Sequence, residues 1–414
     1  MAASVSDYDS VLVRLYPAKA LVKLAEISDP MLGVIEMRSD FTGSERRVVI
    51  NSGNNQSVGV TFASVQAIAH SDKYNHFDVT RGKFYGFAQY ERELFEALQG
   101  NGVAPNAKAN FVSGLKAETD GVMTTLQNEL GRQIHSHHGG AICRLTSSTA
   151  LTTALVVTDA KQLLHIKKGM RLEFASTDGR SGSVRSGYVT VDYVDFSTAT
   201  IYLTSSATAA VTGIAVSDYV FRAYTFGVCM YGWDDWIGTA PTTGDSHFGV
   251  DRTGNPDVLS GLRITASAAT IEDSLQDCIA TASWRGADTL THGFVHPEKW
   301  RELAKEFGTR ARRDDPVKSK RAGVGYSALY VLGQKGQEIP ILASPNVPTT
   351  KCRLIDASDW TLDTLGGAPR LITDTNGKIL RTRDAADSIE ARAGWLGQLH
   401  CRCPNHQVDL TLPS

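Results

Sequence analysis

From Ala107 to Ser136 the chain runs for thirty residues without a proline and with only three glycines, and its apolar residues fall at Leu115, Val122, Leu126, Leu130 and Ile134. That spacing predicts one continuous helix. At 1.5 Å per residue it would extend about 45 Å, more than twice the usual globular helix, although the segments on both sides are strand-like or rich in Gly, Ser and Thr. The glycines at 114, 121 and 131 each cost roughly 1 kcal/mol relative to alanine. Apolar steps of seven, four, four and four do not sustain a heptad. The rod therefore reads as a structural spine, in a chain that spans and tiles, and not as a coiled coil.

The rest of the 414 residues bounds what surrounds this spine. With 42% hydrophobic residues the chain can bury a core and fill two to three domains of about 150 residues. Its 42 basic and 44 acidic residues leave a net charge of -2, which excludes a chain-wide nucleic-acid footprint and makes any such contact local. Six cysteines (Cys143, Cys229, Cys278, Cys352, Cys401, Cys403) are too sparse for a disulfide scaffold. The opening Met-Ala-Ala-Ser-Val-Ser-Asp shows neither a basic n-region nor an apolar h-region, so a reducing, intracellular birthplace is expected. No run of eighteen apolar residues occurs, which excludes a membrane-spanning helix.

Along the chain, residues 1 to about 35 read as an arm with a short amphipathic piece at Ala18 to Ile27. From Arg46 to Phe87 the pattern alternates (Val48, Ile50, then Val58, Val60, Phe62) around the turn-rich Asn51 to Asn55, predicting an extended hairpin. Such a ribbon has little core of its own and implies a neighbour that covers it. Ala150 to Ala223 is a series of short strands separated by turns at Lys168-Gly169, Asp178-Gly179 and Ser186-Gly187, predicting a small antiparallel, barrel-like module. Tyr231 to Gly261, with six glycines and two prolines, reads as a long irregular loop. Helices are predicted over Thr270 to Trp284 and from Pro297 to Phe307. Strands follow at Ala328 to Leu332, Ile339 to Ala343, Arg353 to Ile355 and Lys378 to Arg383, then a long strand from Glu390 to Leu412. The fold class is α+β with strands dominating.

Chemistry-bearing motifs are sparse. No phosphate-binding loop, nucleophile elbow, His-Glu-x-x-His or dinucleotide fingerprint is present. His400-Cys401-Arg402-Cys403-Pro404-Asn405-His406 gathers two thiols and two imidazoles, but a Cys-x-Cys within a strand turns both sulfurs to one face as two small buried hydrophobes, so no metal is assigned. His135, His137 and His138 read as a solvated helix end. Between Arg301 and Arg321, eight Lys or Arg face four Asp or Glu, densest at Arg310, Arg312 and Arg313. This reads as a loop ordered by a neighbouring subunit's carboxylates, with phosphate binding as its rival. Trp233, Trp236, Trp360 and Trp395 read as core or interface anchors.

Taken in order (arm, long hairpin, spine helix, β module, two-helix α+β domain, long final strand), the chain resembles a tailed-bacteriophage major capsid protein, whose shell fold is also found in encapsulins. Phe294-Val295-His296-Pro297-Glu298-Lys299-Trp300 resembles the segment that starts a helix of the family's axial domain. Ile339-Pro340-Ile341-Leu342-Ala343-Ser344-Pro345-Asn346-Val347-Pro348 resembles the strand and loop after it, and Glu390-Ala391-Arg392-Ala393-Gly394-Trp395-Leu396-Gly397-Gln398-Leu399 the long strand of the peripheral domain. Two departures stand out: an enlarged strand-rich insert, and no long charged N-terminal helix to act as a fused scaffold.

The resemblance implies an N-terminal arm at 1–35, an extended hairpin loop at 36–90, a peripheral domain with the spine at 91–145 and a β-rich insertion at 146–224. A mainly axial domain at 225–365 and closing peripheral strands at 366–414 complete the division. It implies a structural protein with no catalytic, cofactor or metal residues, whose copies form hexamers and pentamers of an icosahedral shell around packaged double-stranded DNA, contacted without sequence specificity. Scaffolding, portal and decoration proteins are the implied partners, the virion is the location, and assembly takes place in the host bacterial cytoplasm. Arg46, Arg47, Asn54, Asn55, Val58, Val60, Phe62, Arg310, Arg312 and Arg313 are the candidate inter-subunit contacts. The alternative is a β-rich carbohydrate-binding or carbohydrate-active protein using Asp234 and Asp235 near Trp233, a pairing that adjacent residues on a loop seldom space correctly.

Overall fold

The computed structural model describes residues 29–68, 71–91, 105–244, 246–267, 270–287, 289–307, 329–333, 336–367, 369–372, 380–382 and 388–413. The spine is one helix, Pro105–His135, uninterrupted by its glycines. It lies on a sheet whose centre is the closing strand Ser388–Cys401, paired antiparallel with Gly82–Glu91 from Ser388 opposite Glu91 to Gly397 opposite Gly82. Small residues admit the helix. A side chain at Gly86 would come within 2.8 Å of Val122, while Ala88, Ala391 and Tyr90 form a small cluster with Val122. The hydroxyls of Tyr90 and Thr119 hydrogen-bond at 2.9 Å. Along its other edge the closing strand pairs with Trp360–Thr364, Arg370–Leu371 and Leu380–Thr382, and Glu36–Arg38 adds a parallel strand beyond Trp360–Thr364. The closing strand is buried along most of its length, with Arg392 its exposed residue and Glu390, Gln398 and His400 buried polar side chains.

A second sheet is mixed, in the order Leu262–Thr265, Val408–Thr411, Lys351–Ile355, His292–Val295, Glu338–Ala343, Leu329–Leu332. Helices Ile271–Trp284 and Pro297–Phe307 cover it through Leu275, Ile279 and Leu303. Thr270 caps the first of these helices, and the Glu306 carboxylate of the second accepts from the N–H groups of Ile271 and Glu272. The final strand is therefore not continuous to Leu412. The closing strand ends at Cys401, the chain turns through Pro404–His406, and Val408–Thr411 belongs to the second sheet. Trp360–Thr364 pairs with the closing strand in the first sheet.

The β module is a barrel. Its strands run in the order Ala141–Arg144, Tyr219–Arg222, Arg171–Ala175, Val189–Asp195, Thr200–Leu203, Ala154–Val156, and a bridge between Leu145 and Val157 joins the two ends. Alternate side chains, among them Leu155, Leu172, Phe174, Val191, Ile201 and Val220, fill its interior. The first strand begins upstream of residue 146, so the last turn of the spine feeds directly into the barrel.

Two expectations about the ribbon are corrected. The hairpin consists of Glu45–Gly53 and Lys73–Thr80, joined through a long tip. The 58–62 alternation is not a strand, and Phe62–Ala67 is a short helix. The ribbon stem also has a core: Val48, Ile50, Phe77 and Val79 are buried, Phe77 meets Trp236 edge-on with centroids 5.2 Å apart, and the N–H of Asp78 donates to the carbonyl of Phe248. The expected arm at 1–35 lies outside the described residues except for its end, where Asp29 caps the helix Pro30–Val34 and Met31 is buried.

Most consequential is the 231–261 segment, an irregular loop whose residues 232–237 are packed into the core. Trp233 stacks on Trp360 with centroids 5.4 Å apart and donates from Nε1 to Asp409, while Trp236 donates to the carbonyl of Leu399. It thus joins the two sheets. Arg252 satisfies the carbonyls of Asp235 and Trp236, polar groups that would otherwise be buried unpaired. The close approach at Gly232 is absolute, since a Cβ there would lie 2.1 Å from the carbonyl oxygen of Gln133 and 2.4 Å from that of Ser136.

Two substitutions follow. Gly232→Ala is expected to lose more than about 4 kcal/mol of stability or to prevent folding, because only backbone could yield. Gly121→Ala, with nothing within 4 Å of the added Cβ, is expected to gain up to about 1 kcal/mol. Urea denaturation of the two variants checks both signs.

Candidate assembly surface and the polar junction beneath it

Beyond Gly53 and Lys73 the ribbon carries a tip held by short-range polar contacts. The Asn51 amide donates to Asn54 Oδ1 at 2.7 Å, the N–H of Asn55 to Asp72 Oδ1 at 2.5 Å, and the N–H of Ser57 to Asn55 Oδ1 at 2.8 Å. Thr61 caps the helix Phe62–Ala67, none of whose residues is buried. On this frame Val58, Val60 and Phe62 are 80%, 103% and 78% exposed, with Ile68 beside them in sequence and also exposed. Single exposed hydrophobes are ordinary, whereas several on one polar-anchored tip mark a contact surface.

The expected cations behave differently. Arg46 reaches the buried carboxylate of Asp363 at 2.9 Å and Asp40 at 3.1 Å. Arg47 pairs at 2.8 Å with Asp78, its direct cross-strand neighbour. Both are engaged within their own chain, so they fix the ribbon's root and its register. Arg310, Arg312 and Arg313 lie outside the described residues.

The C-terminal end of the spine, expected to be solvated, is instead a buried ionic junction. Arg353, fully buried, donates from Nη1 to the carbonyl of His135 at 2.6 Å and from Nη2 to Asp234 at 2.8 Å, and its guanidinium lies 5.6 Å from the centre of the Trp233 ring. The same Nη1 is 2.9 Å from His135 Nδ1. Since arginine can only donate, Nδ1 accepts, which leaves Nε2 to donate to Asp29 Oδ2 at 3.0 Å. Asp29 also accepts from Ser344, Asn346 and the N–H of Met31. Burial opposes its ionisation, but the His135 ring and these side-chain donors hold the carboxyl below its usual value. Asp409 closes the junction, accepting from Trp233 and from Lys351 Nζ at 2.6 Å.

One turn earlier, Glu129 is buried with Arg132 at 2.5 Å, Gln133 at 3.0 Å and the barrel's Arg222 at 3.8 Å. Burial alone would raise its pKa, but the two guanidiniums and the amide bring it down to about 2. A cleft of about 270 Å³ opens beside the junction between the barrel and residues 345–349. Its cations are engaged: Arg132 with Glu129, Lys161 with Glu298, and Arg144 on the carbonyl of Ser217 and over the Tyr219 ring.

Asp234 and Asp235 do not form the open carboxylate pair that the carbohydrate alternative needs. Asp234 answers Arg353, and Asp235 accepts from both the N–H and the ring of His138. The thiols at 401 and 403 do not share a strand face either, because the strand ends at Cys401. Cys401 is buried in the core, and Cys403 lies beyond the strand near His406 and Asp359. His400 instead sits 3.0 Å from Asp363. The residues of the junction were missed because their partners lie far away in sequence. The one available signal was the clustering of His135, His137 and His138 at the end of a helix that carries Glu129, Arg132 and Gln133 in its last two turns.

No protein-family model matches the sequence, and no curated protein matches it. Solved structures resemble the chain over nearly its whole length. A chain of the cyanophage A-1(L) capsid asymmetric unit shares 12% identity at a TM-score of 0.53, over 97% of this chain and 98% of that one. The capsid of the Myoviridae phage XM1 gives 6% and 0.43, over 97% of each. The holo-SrpI encapsulin complex from Synechococcus elongatus gives 8% and 0.44, over 99% and 96%. The first of these likenesses carries the conclusion about architecture: the chain has an α+β phage-capsid shell fold.

The Glu129 cluster predicts a pH dependence. A carboxyl depressed from 4.5 to about 2 contributes stability that is fully present above pH 4.5 and lost as pH falls toward 2. Glu129→Gln is expected to be less stable at neutral pH, since it strands Arg132, but to flatten the loss of stability between pH 4.5 and 2. Chemical denaturation at several pH values measures that slope.

Proposed function

We propose that this chain is the major capsid protein of a tailed bacteriophage, many copies of which tile a closed icosahedral shell around packaged double-stranded DNA. The observation that supports this reading best is the whole-length likeness in fold to a cyanophage capsid chain. The exposed, apolar ribbon tip agrees with it. In this reading the protein is structural and its side chains make and break no bonds. Assembly is the activity: each tip lies on a neighbouring subunit and buries Val58, Val60 and Phe62 there, with Asn54 and Asn55 at the margin. Repetition by symmetry turns modest contacts into a stable container.

The near-neutral charge suits this task, because a strongly basic inner wall would bind phosphates and resist packaging. Among the described residues no helix is long and apolar enough to cross a membrane. Scaffolding and portal proteins are the partners such a shell requires, and the barrel is the face on which a decoration protein would sit. The location is the virion, after assembly in the host bacterial cytoplasm.

Electron microscopy of the purified protein tests the reading: closed particles, hexamers or pentamers are expected, and monodisperse monomers alone would overturn it. Replacing Val58 by Ser, Val60 by Asp and Phe62 by Ser together is expected to leave subunit stability within about 0.5 kcal/mol while closed-particle yield collapses. Normal yield would remove the tip from the interface. For the basic loop, Arg312→Ala with Arg313→Ala is expected to weaken ring closure in soluble, folded subunits, and added salt to mimic the change. Loss of duplex-DNA affinity without loss of assembly would instead place that loop on the inner wall.

A further inference from the structure

The chain crosses from the first sheet to the second through a short turn, and three different metal-competent side chains converge there. Cys403 opens the turn Pro404–His406, and the backbone N–H of His406 donates to its carbonyl. Asp359 ends a second short turn, Ala357–Asp359, directly before the strand Trp360–Thr364. One potential ligand atom each from Asp359, Cys403 and His406 lies within 4.8 Å of the other two. His406 Nδ1 is 2.9 Å from Asp359 Oδ2, and Gln407 Nε2 donates to the same oxygen at 3.2 Å. Gln407 is itself locked, fully buried and accepting from Trp360 Nε1 and from the N–H of Asp356. The N–H of Arg402 donates to the carbonyl of Asp359, tying the two turns together.

We infer that Asp359, Cys403 and His406 form a binding site for a divalent zinc-like cation, a clamp across the crossover between the two sheets. The donor set is a thiolate, an imidazole and a carboxylate, each an ordinary zinc ligand. Tetrahedral bonds of the usual lengths would set these atoms about 3.4–3.6 Å apart, so the hydrogen-bonded His406 and Asp359 need open by only about half an ångström. Three protein ligands leave a fourth position for water. Because the ligands flank the strands Trp360–Thr364 and Val408–Thr411, one in each sheet, the ion would stiffen the angle between them.

Cobalt(II), a zinc surrogate with visible and thiolate charge-transfer absorption, tests the site on the full chain after chelator treatment. One equivalent is expected to bind with a thiolate charge-transfer band, zinc to displace it, and zinc to raise the thermal midpoint. Cys403→Ser is expected to abolish the band while keeping the metal-free midpoint of the unmodified chain, and Asp359→Asn, which also loses its bonds to His406 and Gln407, is expected to lose the rise in midpoint on adding zinc. His406→Gln serves as the second ligand variant should Cys403→Ser fail to fold. Absence of binding at about 100 µM metal, far above the dissociation constants implied by about 10–16 kcal/mol for structural zinc sites, or a band that survives in the Cys403 variant, would overturn the assignment.

Discussion

A guanidinium with no access to water organises this molecule. Arg353 sits on the strand Lys351–Ile355 where the second sheet meets the spine, and its charge is answered by the 231–261 segment through Asp234, by the spine through the carbonyl of His135, and by the Trp233 ring. Removing one partner of a buried ion pair typically costs about 3–5 kcal/mol, because the remaining charge is stranded. The elements are therefore coupled in their arrival. A spine rotated by one residue, or a 231–261 segment displaced by a few ångströms, would leave Arg353 unpaired. An apolar core of equal volume would tolerate such slips better. In this arrangement the ions select one relative placement of spine and sheets, while Trp233, Trp236 and Trp360 are among the largest fully buried side chains around them.

How much of this was readable from the residues follows from the range over which each signal acts. The spine, the barrel strands and the helices at 271–284 and 297–307 have periods or caps written in adjacent residues, and they were legible. The burial within the 231–261 segment was not, because six glycines and two prolines announce only an irregular loop unless Arg252 is known to satisfy the carbonyls of Asp235 and Trp236. The His135 to His138 cluster failed for the same reason: its partners Asp29, Arg353 and Asp235 lie about one hundred or more residues away in sequence, where no local rule reaches. Likewise the apolar run after Glu390 reads as a single strand, and only the sheet pairing shows it divided at Cys401 between two sheets. At the assembly surface, the apolar character of Val58, Val60 and Phe62 was visible, while the role of Arg46 depended on Asp363, more than three hundred positions away.

The ribbon shows why anchoring and exposure belong together. A two-stranded ribbon free in water is marginal, so a tip carried on one would sample many orientations and lose that freedom on every docking event. Here Phe77 and Val79 are pinned beneath the 231–261 segment, and Arg46 and Arg47 close the root and register with ion pairs. The stem is thereby part of the core, and only the tip is left without one. Ordering cost is met at folding and not at association, the general advantage of preorganisation. Under the proposed shell function the same contact recurs at every symmetry-related position, so any entropy saved per contact would be multiplied by the number of copies. The buried junction at Arg353 and the anchored stem would then serve one requirement, that the exposed tip face a fixed direction before it meets a neighbour.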